Sequence, residues 1–180
     1  IRLSLVGSEM CIRDRYREYK VLSKLNSSFA KAPKTYIYND DLSILDRPFY
    51  LMEKIDGIVL TANEVSNRKI TAVEFEQISK EWLNTFIELH SIDYKSVGLG
   101  DLGKPIGYVD RQIEIWSKQY KAAMTSEIES ADKVIKWLNE NKPASKQISL
   151  IHNDYKYDNV VYRNEKWNEI NSILDWEMCT

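Results

Sequence analysis

With 180 residues, 43% of them hydrophobic and 29% charged, the chain has the make-up of a soluble globular domain with apolar material for one sizeable core. A formal net charge of -2, with the basic residues scattered instead of gathered, excludes the electrostatic footprint of a nucleic-acid binder or of a protein that docks on anionic lipid. Cys11 and Cys179 lie at opposite ends and His90 and His152 are the only histidines, which excludes a CxxC redox pair and a dedicated zinc cluster; a reducing cytoplasm is the expected setting, and no apolar run approaches the ~20 residues of a membrane span.

Residues 1-15 show no clear period and no secretory pattern, and VGSEMCIRD resembles the translated read-through of a sequencing adapter, so they are read as a non-native leader and set aside. From Tyr16 the spacing of Tyr16, Tyr19, Leu22 and Leu25 predicts a short amphipathic helix that stops at Asn26-Ser27-Ser28. Residues 35-38 and 47-55 are β-rich runs on either side of the polar turn Asn39-Asp40-Asp41, a predicted antiparallel pair whose second strand ends at Asp56-Gly57. Val73, Phe75, Ile78, Trp82, Phe86, Ile87 and Leu89 keep a helical period and predict a helix over 72-90. A glycine-rich linker runs from Gly98 to Gly107. Helices are predicted over 108-124 and 127-141, the second carrying Val134, Trp137 and Leu138 on one face and ended by Asn141 and Pro143. The pattern then changes to period two, with short strands at 148-151, 159-162 and 170-174, the last two joined by a hairpin through Arg163, Asn164 and Glu165. This order predicts an α+β arrangement in two lobes.

The chemistry sits near the end, in LIHNDYKYDNVVY and SILDWE, where His152, Asp154 and Asn159 follow H-x-D-x4-N and Asp175 closes a later apolar strand. Phosphoryl transfer needs these residue types: a carboxylate to accept the proton of the attacking hydroxyl, and an amide oxygen with a second carboxylate to hold Mg²⁺, a hard ion that prefers oxygen. Asp154 is the candidate base, Asn159 and Asp175 the candidate metal ligands, and His152 a structural residue. Lys156 is placed to reach the transferred phosphate as a point charge, against the alternative of an exposed loop lysine. Asp154, Asp158 and Asn159 as plain turn residues between two strands is the competing reading. The joint order of strand, loop, strand and strand-ending aspartate favours the phosphotransferase.

These segments, together with REYKVLSKL, RPFYLMEKIDG and VGLGDLGKPIGYVDRQIEIWSKQY, resemble the aminoglycoside phosphotransferase family across nearly all of residues 16-180, and in the middle segment the branch with kinase-like domains associated with acyl-CoA dehydrogenases. The resemblance implies a protein-kinase-like fold truncated at both ends, with 16-56 a partial N-lobe and 57-180 a partial C-lobe. It implies ATP and Mg²⁺ as cofactors and a small-molecule hydroxyl as acceptor, with neither nucleic acid nor membrane as partner. It gives Glu18 the place of the helix glutamate that pairs with the ATP-binding lysine, although neither Lys20 nor Lys24, both on that helix, can be that lysine. It gives Met52, Glu53 and Ile55 the place of the adenine-binding hinge, through the Glu53 carbonyl and the Ile55 N–H. Asn153 stands where that branch commonly has glycine, and Trp176-Glu177 follows Asp175 where protein kinases have Phe-Gly, which favours a small-molecule kinase. Glu177 supports the metal site or caps a turn; Arg111, Gln112, Trp116 and Tyr120 are read as one helix with a packed Trp and Tyr.

Gly98-Leu-Gly-Asp-Leu-Gly103 matches G-x-G-x-x-G in the letters alone. A dinucleotide fingerprint needs a strand before it and a helix opening from it, whereas here a long helix precedes, so it is read as a linker. A nucleotide-binding module without catalysis and an NAD-dependent oxidoreductase are the alternatives to the kinase, and retention of Asp154, Asn159 and Asp175 together argues against the first of these.

Overall fold

The computed structural model describes residues 2-3, 9-143 and 147-180, with side chains from Arg15 onward in those ranges. Strands β1 (Arg2–Leu3), β2 (Thr35–Asn39) and β3 (Phe49–Met52) form an antiparallel sheet in the order β1-β3-β2. The predicted pairing of the two β-rich runs is therefore present, but the second strand is four residues long and ends at Met52, leaving 53-56 as an extended segment outside any ladder. Helix α1 runs over Glu9–Leu25 and starts before the expected Tyr16. Its Val21, Leu22 and Leu25 pack with Phe29, Tyr50 and Met52 in a core that also takes Leu89, Leu99, Leu150, Ile173, Trp176 and Cys179.

A second antiparallel sheet has the order β4-β5-β6, from β4 (Ile58–Val59), β5 (Val160–Tyr162) and β6 (Ile170–Ile173). β4 and the short helix α2 (Ala62–Arg68) carry no periodic signal and were not predicted. Gly57 permits this sheet: its φ is 153°, and a Cβ there would meet the Tyr162 carbonyl oxygen at 2.4 Å. Helix α3 (Ala72–His90) matches its predicted range and is fixed at its start by a capping box, in which Thr71 and Glu74 satisfy each other's backbone N–H groups. It buries Ile78, Thr85 and Leu89, whereas Val73 and Ile87, expected on the apolar face, are exposed. Ile78 joins Leu60, Val160, Tyr162, Trp167 and Ile170 in a second core against β5 and β6.

The chain divides into two compact units, one of residues 1-102 and 149-180, the other of residues 103-148. The second contains α4 (Tyr108–Ala123) and α5 (Glu129–Glu140), close to the two predicted helices and tied together by the Lys142–Asp110 ion pair. Neither helix contains a buried residue, and the expectation of a packed Trp116 is corrected: it is 58% exposed, its indole N–H donating to Gln112. Residues 148-151 form no strand; Ile151 instead exchanges two 2.8 Å backbone hydrogen bonds with Thr180. Among the described residues no helix is long and apolar enough to cross a membrane.

Candidate active site

The β5-β6 pair sets the geometry. Its register places Val160 opposite Ile173, so the residues just before β5 and just after β6 face each other at one end of the ladder. Asn159 precedes β5 and Asp175 follows β6 by one residue beyond Leu174, and the Leu174 N–H donates to the Asn159 carbonyl at 2.8 Å. Two candidate metal ligands far apart in sequence thus arrive at the same edge through a bulged hairpin whose loop spans 163-169, longer than the three-residue turn expected.

Asp154 lies on the loop entering this edge. Asn159 Nδ2 donates to the Asp154 carbonyl at 2.9 Å and to its Oδ2 at 2.8 Å, and Lys156 Nζ donates to the same Oδ2 at 2.8 Å. With its amide nitrogen engaged twice by Asp154, Asn159 keeps its amide oxygen for another partner. Partial burial pushes the Asp154 carboxyl up, but the bonds from Lys156 and Asn159 and the Lys156 charge outweigh it and hold the group below the usual aspartate range. The bond to Asp154 raises the Lys156 ammonium, so both groups are ionised at neutral pH. The Asp175 carboxylate contributes to the electrostatics of Lys156, His152 and Glu18, in each case behind larger causes.

His152 is 1% exposed and braces the loop. One ring nitrogen, Nε2, meets the Leu174 carbonyl at 3.0 Å, while Nδ1 accepts the Asp154 N–H at 3.3 Å. Burial lowers its pKa, which keeps it neutral with one donating and one accepting nitrogen, as those two contacts require. The ring stands edge-on to Trp176 at 4.8 Å.

Glu18 of α1 is 6% exposed and reaches this region from the other side: its Oε1 accepts the Trp176 N–H at 3.3 Å. Its cation is Arg15 on the same helix, at 3.5 Å. Burial raises its pKa, with Tyr50, Arg15 and the Trp176 amide opposing. Arg15 lies inside the segment set aside as a leader, and α1 is continuous through it. At the hinge positions, Met52 is buried, Glu53 exposed and Ile55 half-buried. The Glu53 N–H donates to Lys34 at 2.7 Å, whereas among the described residues neither the Glu53 carbonyl nor the Ile55 N–H takes part in a backbone hydrogen bond.

Three contacts were not foreseen from the sequence. Arg17 Nε and Nη2 donate to the Cys179 carbonyl at 3.0 and 2.7 Å. The Asn153 side-chain amide donates to the Met178 carbonyl at 2.9 Å. Tyr50 lies against Glu18 and has its hydroxyl pushed far above the usual range by burial and then by that carboxylate. Only Asn153 stood out beforehand, as a departure from glycine; an arginine on a helix face and a tyrosine in a strand are ordinary. The G-x-G-x-x-G stretch has no strand before it: Gly98, at φ 78°, packs against Lys24, and Leu99 is in the core. Among the described residues no three His, Cys, Asp or Glu side chains converge on a possible metal position. An amide oxygen with one carboxylate is a hard, two-ligand set, suited to Mg²⁺, which takes its remaining ligands from phosphates and water.

Residues 12–180 match the phosphotransferase enzyme family. Over 165 residues the chain is 34% identical to acyl-CoA dehydrogenase family member 11 of Rattus norvegicus, and over 169 residues 32% identical to family member 10 of Mus musculus. In both, 91% of this chain is matched, against 21% and 15% of those proteins respectively. It therefore spans about a fifth or less of the length of these curated relatives. Among solved structures, a Ralstonia eutropha protein assigned as an aminoglycoside phosphotransferase superposes with a TM-score of 0.83 at 34% identity, over 92% of this chain and 50% of that one. The streptomycin–ATP ternary complex of the aminoglycoside phosphotransferase APH(2″)-IIa superposes with a TM-score of 0.65 at 20% identity, over 99% of this chain and 59% of that one. The mixture of helices with two small sheets is thus the protein-kinase-like α+β fold that was predicted.

Proposed function

Because the chain belongs to the phosphotransferase enzyme family, we propose that it carries the catalytic and metal-binding segment of an ATP-dependent kinase that phosphorylates a hydroxyl of a small molecule. The observation that carries this reading is the convergence of Lys156 and Asn159 on one carboxylate oxygen of Asp154, beside the ladder edge that delivers Asp175. ATP as donor is supported by the ATP and ADP complexes among the structural neighbours. A small-molecule acceptor is supported by the streptomycin complex.

In this mechanism Asp154, held ionised, accepts the proton of the acceptor hydroxyl as its oxygen bonds to the γ-phosphorus and the bond from that phosphorus to the β–γ bridging oxygen breaks, releasing ADP. Asn159 orients Asp154 through two hydrogen bonds, so the carboxylate is aimed before substrate arrives. Lys156 balances the carboxylate charge and presents a cation beside it. The Asn159 amide oxygen and the Asp175 carboxylate are the magnesium ligands; when bound, the ion neutralises charge on the phosphates. Glu18 acts on this site through the Trp176 amide next to Asp175. Met52, Glu53 and Ile55 take the adenine, with the Glu53 carbonyl and Ile55 N–H as the two backbone groups left for it. The protein works in the cytoplasm.

The test is Asp154→Ala in the full-length protein. Loss of the base lowers phosphoryl transfer about 10²–10⁴-fold while Mg-ATP still binds in calorimetric titration. Unchanged turnover would remove Asp154 from the chemistry, and NAD binding in place of ATP would revive the oxidoreductase.

A further inference from the structure

Residues on both sides of Asp175 are stitched onto the loop that carries Asp154, through Ile151, His152 and Asn153. Ile151 N–H donates to the Thr180 carbonyl and the Thr180 N–H returns the bond, both at 2.8 Å. His152 meets the Leu174 carbonyl on the near side of Asp175, and Asn153 donates to the Met178 carbonyl on the far side, at 2.9 Å. Asp175 is thus the crest of a short arch whose two feet, Leu174 and Met178, are held by consecutive side chains of the catalytic loop.

Each of the two loops that the Asn153 tie joins contains one residue with left-handed backbone. Asn153 has φ 66° and Asp175 also has φ 66°, in the left-handed region that asparagine tolerates better than most non-glycine residues. Glycine adopts that φ without strain but has no side chain to reach Met178. Asparagine is the residue that satisfies both requirements at once.

Building on the reading of Asp154 as base and Asp175 as metal ligand, we propose that Asn153 is a positioning residue: its amide latches the far foot of the Asp175 arch to the catalytic loop and so fixes the metal-binding carboxylate relative to the base. Its role runs through the Met178 carbonyl. It acts by coupling two loops that are also joined by the Ile151–Thr180 backbone pair and by the His152–Trp176 ring contact.

The test separates the backbone requirement from the tie. In Asn153→Gly the left-handed backbone is retained and the amide is lost. In Asn153→Asp the left-handed tendency is kept, but a carboxylate faces the Met178 carbonyl and cannot donate. In the metal-free full-length protein, amide hydrogen exchange at Cys179 and Thr180 rises about five-fold in both variants, the equivalent of one net hydrogen bond, while exchange in α3 and the melting temperature of the glycine variant stay at parental values. With Mg-ATP and water as acceptor, kcat for ATP hydrolysis falls by a similar factor in the glycine variant while KM for ATP holds. Parental exchange at Cys179 and Thr180 overturns the latch. Raised exchange with parental kcat overturns its positioning role. Asp175→Ala is measured alongside: if it hydrolyses ATP as the parent does, the metal-ligand reading has failed, a result distinct from a failure of the latch.

Discussion

Replacing Asn159 by aspartate changes one atom group in the site and reverses its electrostatics. Asn159 Nδ2 donates to Asp154 Oδ2 at 2.8 Å, and in Asn159→Asp that contact becomes carboxylate against carboxylate. Two full charges at this separation repel by about 1.5 kcal/mol with water-like screening and about 6 kcal/mol at an effective dielectric of ~20. The Asp154 side chain is 29% exposed and Lys156 sits on the same oxygen, so the lower half of that span applies. Adding about 1.5–3 kcal/mol for the lost charge-assisted hydrogen bond gives an expected destabilisation of about 3–7 kcal/mol at pH 7. The pH dependence has a definite sign. A carboxyl forced against another has its folded pKa raised, so the variant keeps its stability in acid and loses it as pH rises from about 4 towards neutrality, opposite to an ordinary ion-paired aspartate. The assay is urea unfolding of parent and variant at pH 4.5 and pH 7, with and without Mg²⁺. Because a cation between the carboxylates offsets their repulsion, millimolar Mg²⁺ recovers part of the loss in the variant. A difference below ~0.5 kcal/mol at pH 7, or an equal difference at both pH values, would refute the convergence of these two side chains.

Two further perturbations test the same edge. In Lys156→Met the ammonium that holds the Asp154 carboxyl low is gone while burial still raises it; since the base must be ionised, the acid limb of kcat against pH moves upward from below the ordinary carboxylate range. Superimposable acid limbs would show that Lys156 does not set the state of Asp154. In Gly57→Ala a Cβ would stand 2.4 Å from the Tyr162 carbonyl oxygen and 2.6 Å from Val161 Cγ1, on a backbone with φ 153°. β4 must then separate from β5, with an expected cost of about 2–4 kcal/mol in urea unfolding, and a near-neutral result would mean that the β4-β5 contact is looser than described.

The parts of the fold that were legible beforehand are those whose signal is local. Helix α3 has a sustained helical period, and its range was read correctly from that period alone; the capping box of Thr71 and Glu74 that fixes its start emerged only in the structure. β4 and α2 were missed because a two-residue strand and a seven-residue helix offer too few positions for any period to register. The run 148-151 reads as a strand because it is apolar, yet Ile148 is exposed and Leu150 buried, and its partner is the single residue Thr180. Periodicity reports which residues want burial, not whether a neighbouring strand exists to pair with.

For the site, sequence order identified the residue types while the structure supplied the reason they meet. Asn159 and Asp175 are adjacent because a β5-β6 register, bulged near Tyr162, sets Val160 against Ile173; no spacing rule on the chain contains that register. The ties that surround them are even less visible, since they run from side chains to backbone groups: Glu18 accepts a backbone N–H beside Asp175, and Arg17 and Asn153 donate to the carbonyls of Cys179 and Met178. A backbone N–H or carbonyl looks the same at nearly every position, so the sequence marks only the side chain. For Asn153 that mark was its departure from the glycine that the resemblance implies at this position. Its physical content is that a left-handed position has two solutions, one that merely permits the turn and one that also holds a second loop of the site. On the proposed reading, asparagine makes the orientation of the Asp175 carboxylate depend on a side chain that acts through the Met178 carbonyl.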